Sequence, residues 1–268
     1  NTILPLTAAF VADDGTIASG LGGYNVQIWD DQGSYLVNGD IGNQPNWAVT
    51  GAPGRTYYCR VAAYDAIGNR SGQSPSSAGV YVPVPDTVPP TGSVTINSGA
   101  QYVNTQNVAL GLTATDDNSG VSQIRISNNG TSWATYPFAN AKSWTLGVGD
   151  GPKTVQVKFG DNAGNWSVAY SASITLDRKA PKGTFVIEGG ATHAASANVA
   201  LTSTVTDTLS GVSMMRFSND GANWISFPYA TNVPWILSAG DGVKTVYGQY
   251  ADGAGNWSIL TTSSITVD

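Results

Sequence analysis

The chain is short of charge, of glutamate, of cysteine and of histidine, and each shortage removes a class of protein. Only 11% of the 268 residues are charged, and the net charge is −6. Nucleic acid asks for a basic face, so it is excluded as a partner. Of 18 acidic residues, Glu188 is the single glutamate and the rest are aspartate. Glutamate belongs on helix surfaces and aspartate in turns and caps, so helices are expected to be scarce. Cys59 is the one cysteine, which rules out an internal disulfide. A secreted protein without disulfides is more usual for bacteria than for animals. His193 is the one histidine and sits in a loop-like stretch. No Gly-x-Ser-x-Gly elbow, phosphate-cradling loop or Cys/His metal set is present, so catalysis is not expected. No apolar run approaches the ~18 residues of a membrane span. Neither a leader peptide nor an initiator methionine opens the sequence, which reads as a piece of something longer.

What the chain has is glycine, 32 residues of it, and repetition. Residues 150–167 read as a turn, a strand of β-formers (Thr154, Val155, Val157, Phe159), a tight turn and the start of another strand. The same stretch returns at 241–258 and, more loosely, at 53–71. A hairpin alone is marginal in water, so each copy needs further strands to cover its face. Asp86, Asp177 and Asp268 stand at a fixed offset that also maps Arg125 on Arg216, Trp133 on Trp224, Trp144 on Trp235 and Trp166 on Trp257. Nearly half the positions at that offset are identical. A period so long is a whole domain rather than a solenoid unit. The domains expected are 1–85, 86–177 and 178–268, with the Pro-rich run 82–90 as a stiff linker.

Within the second repeat, strands are expected at 93–96, 108–115, 121–127, 133–136, 143–146, 153–160 and 168–176. Seven short strands with a turn every 8–12 residues form the pattern of an immunoglobulin-like sandwich. Residues 53–65 resemble the sixth strand of fibronectin type III domains. In that family the tyrosine at the Tyr57 position makes a corner hydrogen bond. By alternation Tyr57, Cys59, Val61 and Ala63 share a face, which makes Cys59 a core residue rather than a reactive thiol. Asp13-Asp14 aligns with Asp116-Asp117, yet only twelve residues precede it, too few for a full opening strand. The first sandwich is therefore expected to lack that strand, leaving an edge open to pairing. Residues 116–133, with the Asp-Gly-x-Lys-Thr-Val hairpin, resemble the tandem Ig-like repeats of large bacterial extracellular proteins. The resemblance implies an all-β, exported, modular architecture: three tandem immunoglobulin/fibronectin type III-like sandwiches. It does not imply one activity.

The candidate site residues are aspartates and tryptophans. In such a sandwich the B–C and F–G loops share a pole with the incoming linker. That geometry would gather Asp86, Asp116, Asp117 and Asp161, a set suited to Ca²⁺ and its six to eight oxygen ligands. The third repeat offers Asp177, Asp207 and Asp252 but carries Thr208 where the second has Asp117, so it is expected to bind more weakly or not at all. The first offers Asp13, Asp14 and Asp65. The alternative is that these aspartates cap their own turns. Recurrence of the tryptophans favours packing; Trp166 and Trp257, just after a hairpin turn, could instead be platforms for sugar rings. Lys153 and Lys244 recur at a strand start and read as solvated edge charges. The expected role is a non-catalytic structural or adhesive segment of an extracellular, cell-surface protein, with other domains or subunits as partners. A carbohydrate-binding accessory module, with polysaccharide as partner, is the rival.

Overall fold

A computed structural model of the chain describes residues 5–9 and 20–268. Asp13 and Asp14 lie outside them. The chain divides into two compact units, Asn1–Thr87 and Val88–Asp268.

The first unit is one sandwich. Strands β1 (Pro5–Ala9) and β4 (Asn46–Thr50) pair antiparallel. A second sheet runs β3 (Tyr35–Gly42), β2 (Leu21–Asp30), β5 (Arg55–Asp65), β6 (Val80–Val82). Tyr24, Val26, Ile28, Ile41, Tyr57 and Val82 form its core, with Cys59, Val61 and Ala63 packed against it, so β5 alternates as its sequence requires. The corner is present: the Ala52 N–H donates to the Tyr57 Oη at 2.8 Å. The edge of β5 beyond β6 is closed by serines at every third position. Ser71, Ser74 and Ser77 accept from the N–H groups of Ala63, Val61 and Cys59, and their own N–H groups return the bonds. Tyr57→Phe is expected to cost the first sandwich about 1 kcal/mol, the net worth of one hydrogen bond, read as a lower urea midpoint at unchanged slope.

The second unit holds two sandwiches of the same plan. In one, β12 (Ala141–Thr145), β9 (Asn107–Thr115) and β7 (Thr91–Ile96) form a sheet. The facing sheet is β11 (Ala134–Pro137), β10 (Val121–Ser127), β13 (Gly151–Asp161), β14 (Tyr170–Leu176) and β8 (Tyr102–Val103). The other pairs β15 (Lys182–Ile187), β17 (Asn198–Thr206) and β20 (Asn232–Ile236). Its second sheet is β16 (His193–Ala194), β22 (Thr261–Val267), β21 (Gly242–Asp252), β18 (Val212–Ser218) and β19 (Ile225–Pro228). These sheets and their order make the chain a series of three immunoglobulin/fibronectin type III-like sandwiches. β1 corresponds to β9 and β17, since each pairs with the strand after the facing sheet's hairpin. Among the described residues the first sandwich has no counterpart of β7 or β15.

Candidate functional site: an acidic joint between two sandwiches

The second unit carries its acidic group where its two sandwiches meet. Asp177 follows β14 at the end of one sandwich, with its N–H bonded to the Val103 carbonyl at 2.8 Å. Its other atoms belong to the next sandwich. The Ser210 N–H and Oγ–H both donate to Asp177 Oδ2, at 3.1 and 2.7 Å. Asn256 Nδ2 donates to the Asp177 carbonyl at 2.9 Å. The Lys179 N–H takes Oδ1 at 3.1 Å, turning the chain at once into β15. Ser210 Oγ then accepts from the Ala254 N–H at 3.2 Å, tying the two loops together. On the linker's other side Arg178 pairs with Asp150 at 2.7 Å. Gly253 completes the fit: a Cβ there would lie 3.3 Å from the Tyr102 ring of the preceding sandwich and 2.6 Å from the Ser210 carbonyl.

Two more carboxylates close on this point. Asp207 Oδ1 accepts from the N–H groups of Leu209, Ser210 and Gly211, holding the turn after β17. Asp252 accepts from the Asn256 N–H at 2.8 Å and from Asn256 Nδ2 at 2.7 Å. Asp177, Asp207 and Asp252 each offer an oxygen within 4.8 Å of the others. Asp177 is 1% and Asp252 2% exposed. Buried carboxylates are tolerated only when bonded or paired. The donors here are amides and a hydroxyl, which solvate each carboxylate but leave the mutual repulsion of three like charges. A divalent cation that takes oxygen ligands fits that donor set, since each carboxylate keeps at least one oxygen that accepts no more than one of the bonds named.

The other sequence candidates fall as follows. Asp86 belongs to the first unit, while Asp116, Asp117 and Asp161 belong to the second. Asp116 Oδ2 accepts from Gly120 N at 2.7 Å, and its Oδ1 is buried without a partner among the described residues. Asp117 is exposed. Asp161 is buried, and both its oxygens accept from Asn165, at 2.8 Å each. Asp65 likewise accepts from Ile67 and Asn69 in the first sandwich. So every F–G turn is closed by an aspartate, and capping and ligation are compatible uses of the same side chain. Lys153 and Lys244 donate to the Val148 and Ala239 carbonyls.

Trp166 and Trp257 are part of cation–aromatic stacks on the sheet faces. The Arg125 guanidinium lies 4.0 Å from the Trp166 ring centre. That indole fits because residue 160 is glycine: a Cβ there would come within 2.9 Å of three ring atoms. Arg216 serves two rings, Trp257 at 4.3 Å and Trp224 at 4.8 Å. Gln249 accepts from Arg216 Nη2 at 2.6 Å and fixes it there. The equivalent of Gln249 is Lys158, which lies over Trp133 at 5.1 Å. Trp257 is 39% exposed, so its stack is a surface feature. The recurrence of Arg125 at Arg216 was visible in the sequence but its ring partner was not, because nothing in the spacing of Arg125 and Trp166 announces that β10 and the chain after β13 are neighbours.

No protein-family model matches the chain, and no curated protein matches it. Among solved structures it is similar to the fibronectin(III)-like modules of CbhA from Clostridium thermocellum: 18% identity over 65% of this chain and 94% of that one, TM-score 0.43. It is similar to a 1.5-MDa bacterial ice-binding adhesin at 18% identity, covering 98% of this chain and 90% of that one, TM-score 0.47. It is similar also to a Ca²⁺-stabilised adhesin of an Antarctic bacterium that binds ice, at 19% identity, 98% and 68% coverage and TM-score 0.47. No helix among the described residues is long and apolar enough to cross a membrane.

Proposed function

We propose that this chain is a non-catalytic spacer segment of an extracellular surface protein, built of domains 1–85, 86–177 and 178–268. Its joint at Asp177 holds successive domains at a fixed angle, and Asp177, Asp207 and Asp252 take Ca²⁺ there. The observation that supports this is the absence of slack: the last residue of one sandwich is bonded through main chain and side chain into two turns of the next. A linker of that kind transmits orientation, whereas a flexible tether would not. The serine-closed edge of β5 serves the same end, because a closed edge keeps a modular chain from pairing along its length.

The test is a distance distribution between spin labels on Thr131→Cys and Ala222→Cys, both exposed, in a Cys59→Ala background. A single narrow peak is expected. Removing the clasp with Ser210→Ala and Asn256→Ala should broaden it severalfold. A broad distribution in the intact protein would end the spacer reading.

A further inference from the structure

The second sandwich also carries a groove of about 340 Å³ at the Ser127 end of β10. It is lined by Trp133, Trp144, Asn128, Asn129, Ser132 and Ala134. Both indole N–H groups are already spent. Trp144 Nε1 donates to Asn128 Oδ1 at 2.8 Å, and Trp133 Nε1 to the Gly130 carbonyl at 3.1 Å. What the rings offer a ligand is carbon surface. Asn128 is pinned further by donation from its Nδ2 to the Thr145 carbonyl. Asn129 Oδ1 is taken by the N–H groups of Thr131 and Ser132, which leaves its amide hydrogens and the Ser132 hydroxyl as uncharged polar groups.

We propose that this groove binds a neutral hexopyranose chain. A pyranose ring has an apolar C–H face and a rim of hydroxyls. Two indoles beside neutral amides and a hydroxyl match both, and the residues lining the groove are all uncharged; the nearest charge, Lys158, is engaged on the Trp133 ring. The volume lies at the lower end of small-ligand sites, enough for one or two sugar rings of a longer chain. The sister sandwich shows that the groove is not a by-product of the fold. There Ile225 stands in place of Ala134, Asp220 in place of Asn129, and the equivalent Trp235 is only 7% exposed, where Trp144 is half-buried. The Asp220 carboxyl is held well below the usual range by the Asn223 N–H first and the Asn223 amide next, so a charge sits there at any ordinary pH. The two repeats have thus diverged at this place in size and in charge together.

The full chain would be titrated with cellohexaose, mannohexaose, maltohexaose and, as the charged control, hexa-galacturonate, following indole N–H resonances. Saturable shifts of Trp133 and Trp144 with at least one neutral hexaose are expected, and none with the charged one. Ala134→Ile and Asn129→Asp, both residues the third sandwich carries at these places, should each weaken binding at least tenfold. Trp257→Ala should leave it unchanged. The proposal is overturned if no neutral hexaose binds at 10 mM, if both groove variants bind as the parent does, or if Trp257→Ala abolishes binding. Spacer function would survive any of these results, because the spin-label distances are read on protein without sugar.

Discussion

Adding 1 mM calcium to chelator-stripped protein is expected to raise the melting temperature of the second unit by about 5–10 °C. A ligand bound only to the folded state stabilises by RT ln(1 + [L]/Kd), about 2.7 kcal/mol at a hundredfold excess over Kd. A unit of that size shifts by roughly 2–4 °C per kcal/mol. The physical source is the crowding of Asp177, Asp207 and Asp252, two of them buried, whose mutual repulsion a bridging cation would cancel. Magnesium should give less, because it demands a stricter octahedron and sheds water reluctantly. Asp207→Asn is the informative variant. Its Oδ1 can still hold the turn after β17, so the fold survives while one ligand charge is lost, and the calcium shift should shrink by more than half. Identical melting curves in chelator and in calcium would leave the aspartates as turn caps and remove the cation from the account.

The sandwiches were legible because alternation and turn chemistry act locally. The strand 121–127 is read without error, and the other boundaries of the second repeat shift by one or two residues. Strand β8 was not legible. It is two residues long and pairs in parallel with Thr175 and Leu176, after a turn in which Asn97 and Ser98 take positive φ without a glycine's help. The aspartates were legible as a class, since glutamate's near-absence points to turns. Which of them meet was not. Asp177 reaches Ser210 across 33 residues, and Ser210 carries no mark that separates it from the other serines of the chain. The arginine–tryptophan stacks and the groove were hidden for the same reason: they depend on cross-strand neighbours that only register defines.

Core substitutions between the repeats are the clearest sign that register, not local preference, decides what is tolerated. Val94, Ile126 and Val157 of one sandwich become Phe185, Phe217 and Gly248 in the other. A Cβ on Gly248 would fall 2.7 Å from the Phe185 ring and 2.9 Å from the Phe217 ring, so two added rings are accommodated by one lost side chain. Interiors packed to crystal density require such compensation. Each replacement alone looks arbitrary; together they conserve volume across two facing sheets.

A second compensated swap makes the last prediction. Leu112 and Phe159 are replaced by Ser203 and Tyr250, both buried, with hydroxyls 2.9 Å apart. Tyr250→Phe is expected to destabilise the third sandwich by about 1–3 kcal/mol, because the Ser203 hydroxyl is left in the core without its partner. Ser203→Ala should cost a similar amount for the converse reason. The double variant, with both hydroxyls gone, should cost less than the two single changes added, since an apolar pair has nothing left to satisfy. Strict additivity would show that the two hydroxyls do not act as a pair. The pair also sets an alkaline limit. Burial pushes the Tyr250 phenol up to about 12, against the opposing bond from Ser203. The protonated phenol is therefore favoured by folding. Its stabilisation is complete below pH 10, where the unfolded tyrosine would also be protonated, and is lost as pH rises through about 12. The non-exchanging indole C–H resonances of Trp235, in the same core cluster, give a local reading of the third sandwich in urea. Its unfolding midpoint should fall between pH 10 and 12 in the parent protein. Tyr250→Phe, already less stable at pH 9, should lose less over that interval. An equal fall in both would place the alkaline transition in another group.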